Sequence, residues 1–138
     1  MPDDTVRIIQ RAHLSILETI DQLQLNLRDY PQAKPFLREL HQKLFNHFGH
    51  QNESFFVPLK DYGSLVRRDL KMLEFLEFDQ KEIMVKLLVF YDQHSGEMDD
   101  TNARSFPKDF TDFSSLVLGR FKIEKDYLIP LLEKLTLL

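Results

Sequence analysis

The sequence predicts an all-α protein, an antiparallel four-helix bundle, and three observations carry that prediction. Apolar residues recur at alternating steps of three and four through four long segments, the spacing of a buried helical face. No segment alternates apolar and polar residues for the length of a strand. One helical motif is written twice, once in each half of the chain.

The first stripe runs through Val6, Ile9, His13, Ile16, Ile20, Leu23 and Leu27, with Asp3 or Asp4 as the expected cap. Tyr30-Pro31 and Lys34-Pro35 are expected to bracket a turn, because residues before proline avoid helical geometry. The second stripe continues through Leu37, Leu40, Leu44, His47, Gln51 and Ser54, with Gly63 as its expected stop. The third comprises Val66, Asp69, Leu73, Leu76, Gln80, Ile83, Leu87, Phe90 and His94. Asp79-Gln80-Lys81-Glu82 resembles a capping box, so a break near Phe78 competes with one continuous helix. Ser95 to Pro107 read as a loop. The last stripe starts near Lys108 and takes in Phe110, Phe113, Val117, Arg120, Glu124, Tyr127 and Leu131. Pro58 and Pro130 should each kink or shorten the helix that holds them. With short turns and one longer loop, four such helices make a bundle.

The length, 138 residues, suits a single domain spanning 1–138 with a substantial core. A net charge of −4 gives no basic stripe for nucleic acid. The chain has no cysteine, which removes disulfides, thiolate nucleophiles and Cys-ligated metals. The acidic start Met1-Pro2-Asp3-Asp4 leads into no apolar stretch of signal-peptide length, and no stretch approaches the roughly 20 apolar residues of a membrane span. A soluble cytoplasmic protein, monomer or homodimer, is the expectation, with no nucleic-acid or membrane partner and room for a protein partner. There is no Gly-rich phosphate loop, no Gly-x-Ser-x-Gly and no Glu-x-x-His pair of the ferritin type.

The repeated motif reads His47-Phe48-Gly49-His50-Gln51 and then Phe55-Phe56-Val57-Pro58-Leu59 in its first copy. The second reads Arg120-Phe121-Lys122-Ile123-Glu124 and then Leu128-Ile129-Pro130-Leu131. In each, a basic residue and a Gln or Glu stand four apart, one turn of one helical face. His13, His47, Gln51, Arg120 and Glu124 all fall on predicted interior faces. Buried polar groups are costly alone, so these five should bond one another or bind something. Arg120 and Glu124 also have a structural explanation as an intrahelical ion pair, and Gln51, Arg120 and Glu124 together make an expected polar network in the core. His50 and Glu53, off the stripe, read as a solvated pair, and His41 as a surface residue. Phe45, Phe48, Phe55, Phe56, Phe110, Phe113 and Phe121 read as packing residues.

These paired motifs resemble the two signature segments of the hemerythrin-like (HHE cation-binding) family, over essentially the whole chain. The resemblance implies an up-down four-helix bundle with a non-haem di-iron centre between its helices. Position by position, His13 matches the first-helix ligand, His47 the second-helix histidine and Glu124 the fourth-helix carboxylate. Gln51 stands where the family has a bridging Glu, and Arg120 where it has a ligand His. Guanidinium is no metal ligand under protein conditions. The third helix offers only His94, with Asp69 as a substitute carboxylate. Three ligands thus remain: His13, His47 and Glu124, with Gln51 a weak fourth. The expectation is a non-catalytic regulatory or interaction module with a partly lost di-iron site. Its cofactor is none, or one non-haem iron or other divalent metal, rather than an intact di-iron centre. The alternative is a divalent-metal protein for oxygen, redox or metal sensing that uses the remaining His/Glu ligands.

Overall fold

The computed structural model describes residues 2–60, 65–96 and 100–136. Among these residues there are helices and no strands. Helix α1 spans Pro2–Leu25, α2 Tyr30–Gln51, α3 Val57–Lys60, α4 Arg67–His94, α5 Asp100–Ile123 and α6 Ile129–Thr136. Wider π turns, Asn52–Phe56 and Glu124–Leu128, join α2 to α3 and α5 to α6. No described helix is long and apolar enough to cross a membrane. Gly63, Leu137 and Leu138 lie outside the described residues.

Several boundaries differ from the sequence expectation, each for a physical reason. α1 already begins at Pro2, so Asp3 and Asp4 lie within its first turn instead of capping it. α2 starts at Tyr30 rather than after Pro35: Asp29 caps it through its side chain to the Gln32 N–H, 3.4 Å. Pro31 falls in the first turn, where no N–H is needed. Pro35 lies inside the helix and removes one ladder bond, while Ala33, Leu37 and Leu40 around it are buried. α5 likewise begins at Asp100, seven residues before the expected loop's end at Pro107. Phe106 is fully buried against Phe90 and Phe110, and that packing holds the helix through Pro107. α4 is unbroken at Phe78. Its capping-box residues are used across the fold instead: Asp79 bonds Arg120, and the Gln80 amide donates to the Phe48 carbonyl.

The two π turns account for the remaining misplacements. Val57 N–H reaches back to the Asn52 carbonyl and Ile129 N–H to the Glu124 carbonyl, five residues in each case. Each turn closes one residue before a proline, which has no N–H to continue a four-residue ladder. The added residue rotates the rest of the helix. Ser54 is exposed and Phe55 and Phe56 are buried; Tyr127 is 49% exposed and Leu128 fully buried. Pro58 and Pro130 therefore widen the helix rather than end it. Two aromatic expectations also change: Phe45 is half-exposed, and His41 is partly buried, its ring stacked on Tyr91 at 4.0 Å.

The core has two apolar clusters. One contains Ile16 and Ile20 of α1, Leu40, Leu44 and Phe48 of α2, Ile83 and Leu87 of α4, and Phe113, Val117 and Phe121 of α5. The other contains Ile9 of α1, Phe55 and Phe56, Leu73 and Leu76 of α4, Leu128, and Ile129 and Leu132 of α6. His13, His47, Gln51, Asp79, Gln80, Arg120 and Glu124 sit in sequence near the points where one cluster gives way to the other. Because the π turn rotates the chain, Leu128→Ala should lower stability by about 2–5 kcal/mol, the usual cost of deleting a buried leucine. Tyr127→Ala should stay within about 0.5 kcal/mol, as for most surface changes. Urea unfolding measures both, and a larger loss at Tyr127 would mean that the uninterrupted helical phase is the true one.

Candidate metal centre

Glu124 is the hub of the polar layer. It is the first residue of the second π turn and is 0% exposed. Its Oε1 lies 2.7 Å from His13 Nε2 of α1 and 2.8 Å from His47 Nε2 of α2. Its Oε2 accepts from Arg120 Nε at 2.7 Å, one helical turn earlier in α5. The two carboxylate oxygens thus face different chemistry: imidazoles on one side, a fixed guanidinium on the other.

Arg120 is buried with its side chain wholly shielded. Beyond Glu124 its Nη1 donates to the Leu76 carbonyl at 2.9 Å and to Asp79 Oδ2 at 3.0 Å, both on α4. Its Nη2 donates to Gln51 Oε1 at 3.3 Å. The fork shape of guanidinium lets one side chain hold three directions at once. The network therefore ties α1, α2, α4 and α5 together. His13, His47, Gln51, Arg120 and Glu124, expected to share the interior, form one connected set of hydrogen bonds. Asp79 is a member that sequence reasoning misses. It stands three residues after Leu76 and four before Ile83, so it fits the α4 spacing as well as its neighbour Gln80, which the stripe takes in its place.

The other expected third-helix groups go elsewhere. Asp69 is buried but pairs with Lys134 of α6 at 2.7 Å. His94 is buried with its Nε2 3.0 Å from Asp109 Oδ2 of α5, while Tyr30 donates to the carbonyls of His94 and Gly96. Neither belongs to the Glu124 cluster. His50 contacts Ser54 at 3.3 Å rather than forming the expected pair with Glu53.

Among the described residues, the ligand atoms of His13, His47 and Glu124 all lie within 4.8 Å of one another, a set that could hold a metal ion. Glu124 Oε2 and Gln51 Oε1, which a second ion would need, are engaged by Arg120. Arg120 fixes the Gln51 carbonyl, which turns the Gln51 amide nitrogen toward His47 Nε2 at 3.1 Å. That ring nitrogen cannot both accept from Gln51 and donate to Glu124. Either tautomer leaves one mismatched contact, and a cation shared by His47 Nε2 and Glu124 Oε1 would remove the mismatch between those two atoms. The Glu124 carboxyl titrates far from normal. Burial alone would push it up, but the hydrogen bonds from His13 and His47, with the attraction of His47 and Arg120, hold it well below its ordinary 4.5.

No family model, curated protein or solved structure matches the chain. The site's chemistry thus rests on its own geometry.

Two outcomes are expected of this arrangement. Arg120→Ala should destabilise the fold by roughly 3–5 kcal/mol in chemical denaturation, because it leaves the Glu124 carboxylate buried without its guanidinium. The second concerns acid. A carboxyl lowered in the folded state contributes stability that is fully present above its unfolded value near 4.5 and fades as pH falls toward its folded value. In metal-free protein with EDTA, Glu124→Gln should therefore lose stability at neutral pH and show a flatter decline below pH 4.5. Parallel curves for parent and variant below that pH would contradict the assignment.

Proposed function

We propose that the chain is a hemerythrin-like, antiparallel up-down four-helix module that binds one divalent metal ion through His13 Nε2, His47 Nε2 and Glu124 Oε1. In this reading the Arg120 guanidinium takes the place of a second metal. The observation that carries it is the division of labour at Glu124: Oε2 on Arg120 at 2.7 Å, Oε1 facing two imidazole nitrogens at 2.7 and 2.8 Å. A carboxylate bridging two metals offers one oxygen to each, and a fixed cation on one oxygen leaves the other for a single ion. The antiparallel arrangement is supported by the order in which the apolar clusters are met. α1 runs from Ile9 in one cluster to Ile16 in the other, α2 and its π turn run the opposite way, α4 repeats the order of α1, and α5 that of α2.

Two imidazoles and one carboxylate are the donor set of mononuclear non-haem iron(II) sites, which supply open positions for water or a small ligand. The protein's own groups do the rest. Arg120, held by Leu76 O and Asp79, keeps Glu124 in one orientation and disfavours a second cation nearby. His13, stacked on Phe121 at 4.0 Å, is held toward Oε1 from α1. We read the module as non-catalytic, used for metal-dependent sensing or regulation in a soluble cytoplasmic setting.

A second reading has support in one feature of the geometry. Separations of 2.7 and 2.8 Å are hydrogen-bond lengths, whereas two ligands about 2.1 Å from a metal and at right angles stand about 3.0 Å apart. The same five residues would then be a metal-free polar network in an interaction module.

Elemental analysis and calorimetric titration of untagged protein with iron(II) or zinc separate the readings. The first predicts one ion per chain, uptake abolished in His13→Ala and His47→Ala, and added uptake in the Gln51→Glu/Arg120→His variant, which gains two donors and loses the competing charge. No uptake by the parent would leave the metal-free network. Two ions per parent chain would refute the role given to Arg120.

A further inference from the structure

We propose that the groove beside His13 binds an amphipathic monoanion, a small molecule with an apolar body and one carboxylate-like head group. The groove has a volume of about 670 Å³ and lies between α1 and the α5 end of the fold, with His13 in its lining. That volume is within the usual range for small-molecule sites. Its apolar surface comes from Leu14 and Leu17 of α1 with Leu118 and Phe121 of α5. Leu14 is 63% and Leu118 46% exposed. One exposed leucine is ordinary, but two on different helices that share one groove present a continuous apolar face to solvent.

The rim sets the charge of the ligand. Lys122 and Lys125 line the groove, and neither takes part in the ion pairs of the Glu124 network. Asp126 shares the rim and offsets one of them, leaving one net positive charge. A single carboxylate is attracted by that balance, and an uncharged molecule gains nothing from the lysines. The inner wall ties the groove to the polar layer. The Phe121 ring lies on the His13 ring at an interplanar angle of 15°. His13 has 13% of its side chain exposed, against 3% for His47 and 0% for Glu124, so His13 is the histidine that reaches the groove side.

The groove's chemistry does not depend on a metal, so the test is made on the full chain in EDTA and its outcome is separate from that of the metal reading. Calorimetric titration with sodium octanoate should give saturable binding of one molecule per chain, about tenfold tighter than octanol, the discrimination expected of one charge-assisted contact. The Lys122→Gln/Lys125→Gln variant, which leaves Asp126 unopposed, should bind octanoate no more tightly than octanol. Leu14→Gln/Leu118→Gln, which alters only exposed side chains and should keep the parent's helical circular dichroism, should weaken both by about tenfold or more. Absence of saturable octanoate binding, equal affinity for octanol in the parent, or unchanged binding in either double variant would overturn the proposal.

Discussion

A carboxylate shut completely out of water must be answered by positive charge or hydrogen-bond donors, and the interior of this protein is organised around that demand at Glu124. His13 and His47 answer one oxygen, Arg120 the other. Burying Arg120 raises the same demand again, and α4 meets it with the Leu76 carbonyl and Asp79, while α2 adds Gln51. Each side chain in the chain of contacts is tolerable only because the next is present. All four long helices are thereby fixed relative to their neighbours by polar contacts of defined geometry, where apolar packing alone would be more permissive of sliding.

The polar layer also explains where the backbone departs from a regular ladder. The π turns begin at or just after the motif residues Glu124 and Gln51, and both precede a proline. The wider turn accommodates the missing proline N–H, and it lets one helix serve two needs. Up to the first residue of the turn, the stripe delivers His47 and Gln51, or Arg120 and Glu124, to the polar layer. Within and beyond it, the shifted stripe delivers Phe55 and Phe56, or Leu128 and Leu131, to the second apolar cluster. A π turn next to a functional cluster is a recurrent use of that geometry. Here the same sequence motif, written twice, produces the same backbone feature twice.

Much of this is legible in the sequence, and the failures are instructive. The three-four stripes place the buried faces of α1 and α4 almost residue by residue, because uninterrupted helices keep their period. His13, His47, Gln51, Arg120 and Glu124 can be grouped because each interrupts an apolar stripe with a polar residue. Tyr127 and Ser54 are misplaced because the phase changes at a π turn, whose only sequence sign is a proline one residue beyond it. The starts of α2 and α5 are set too late, because local proline signals are weighed without the tertiary packing of Ala33 and Phe106 that overrides them. Asp69 looks like a spare ligand on a buried face, yet burial says nothing about which neighbour it meets, and it meets Lys134. The likeness to hemerythrin-like proteins remains a reading of the paired motifs.

We propose that the two oxygens of Glu124 have separate partners, the guanidinium of Arg120 on Oε2 and a single exchangeable cation on Oε1. Anomalous diffraction at the zinc edge, from crystals of the full chain grown with zinc, tests it most directly. The expected result is one peak, bonded to His13 Nε2, His47 Nε2 and Glu124 Oε1, with Arg120 Nε still on Oε2. Two peaks with Arg120 displaced, or no peak among these residues, would contradict it.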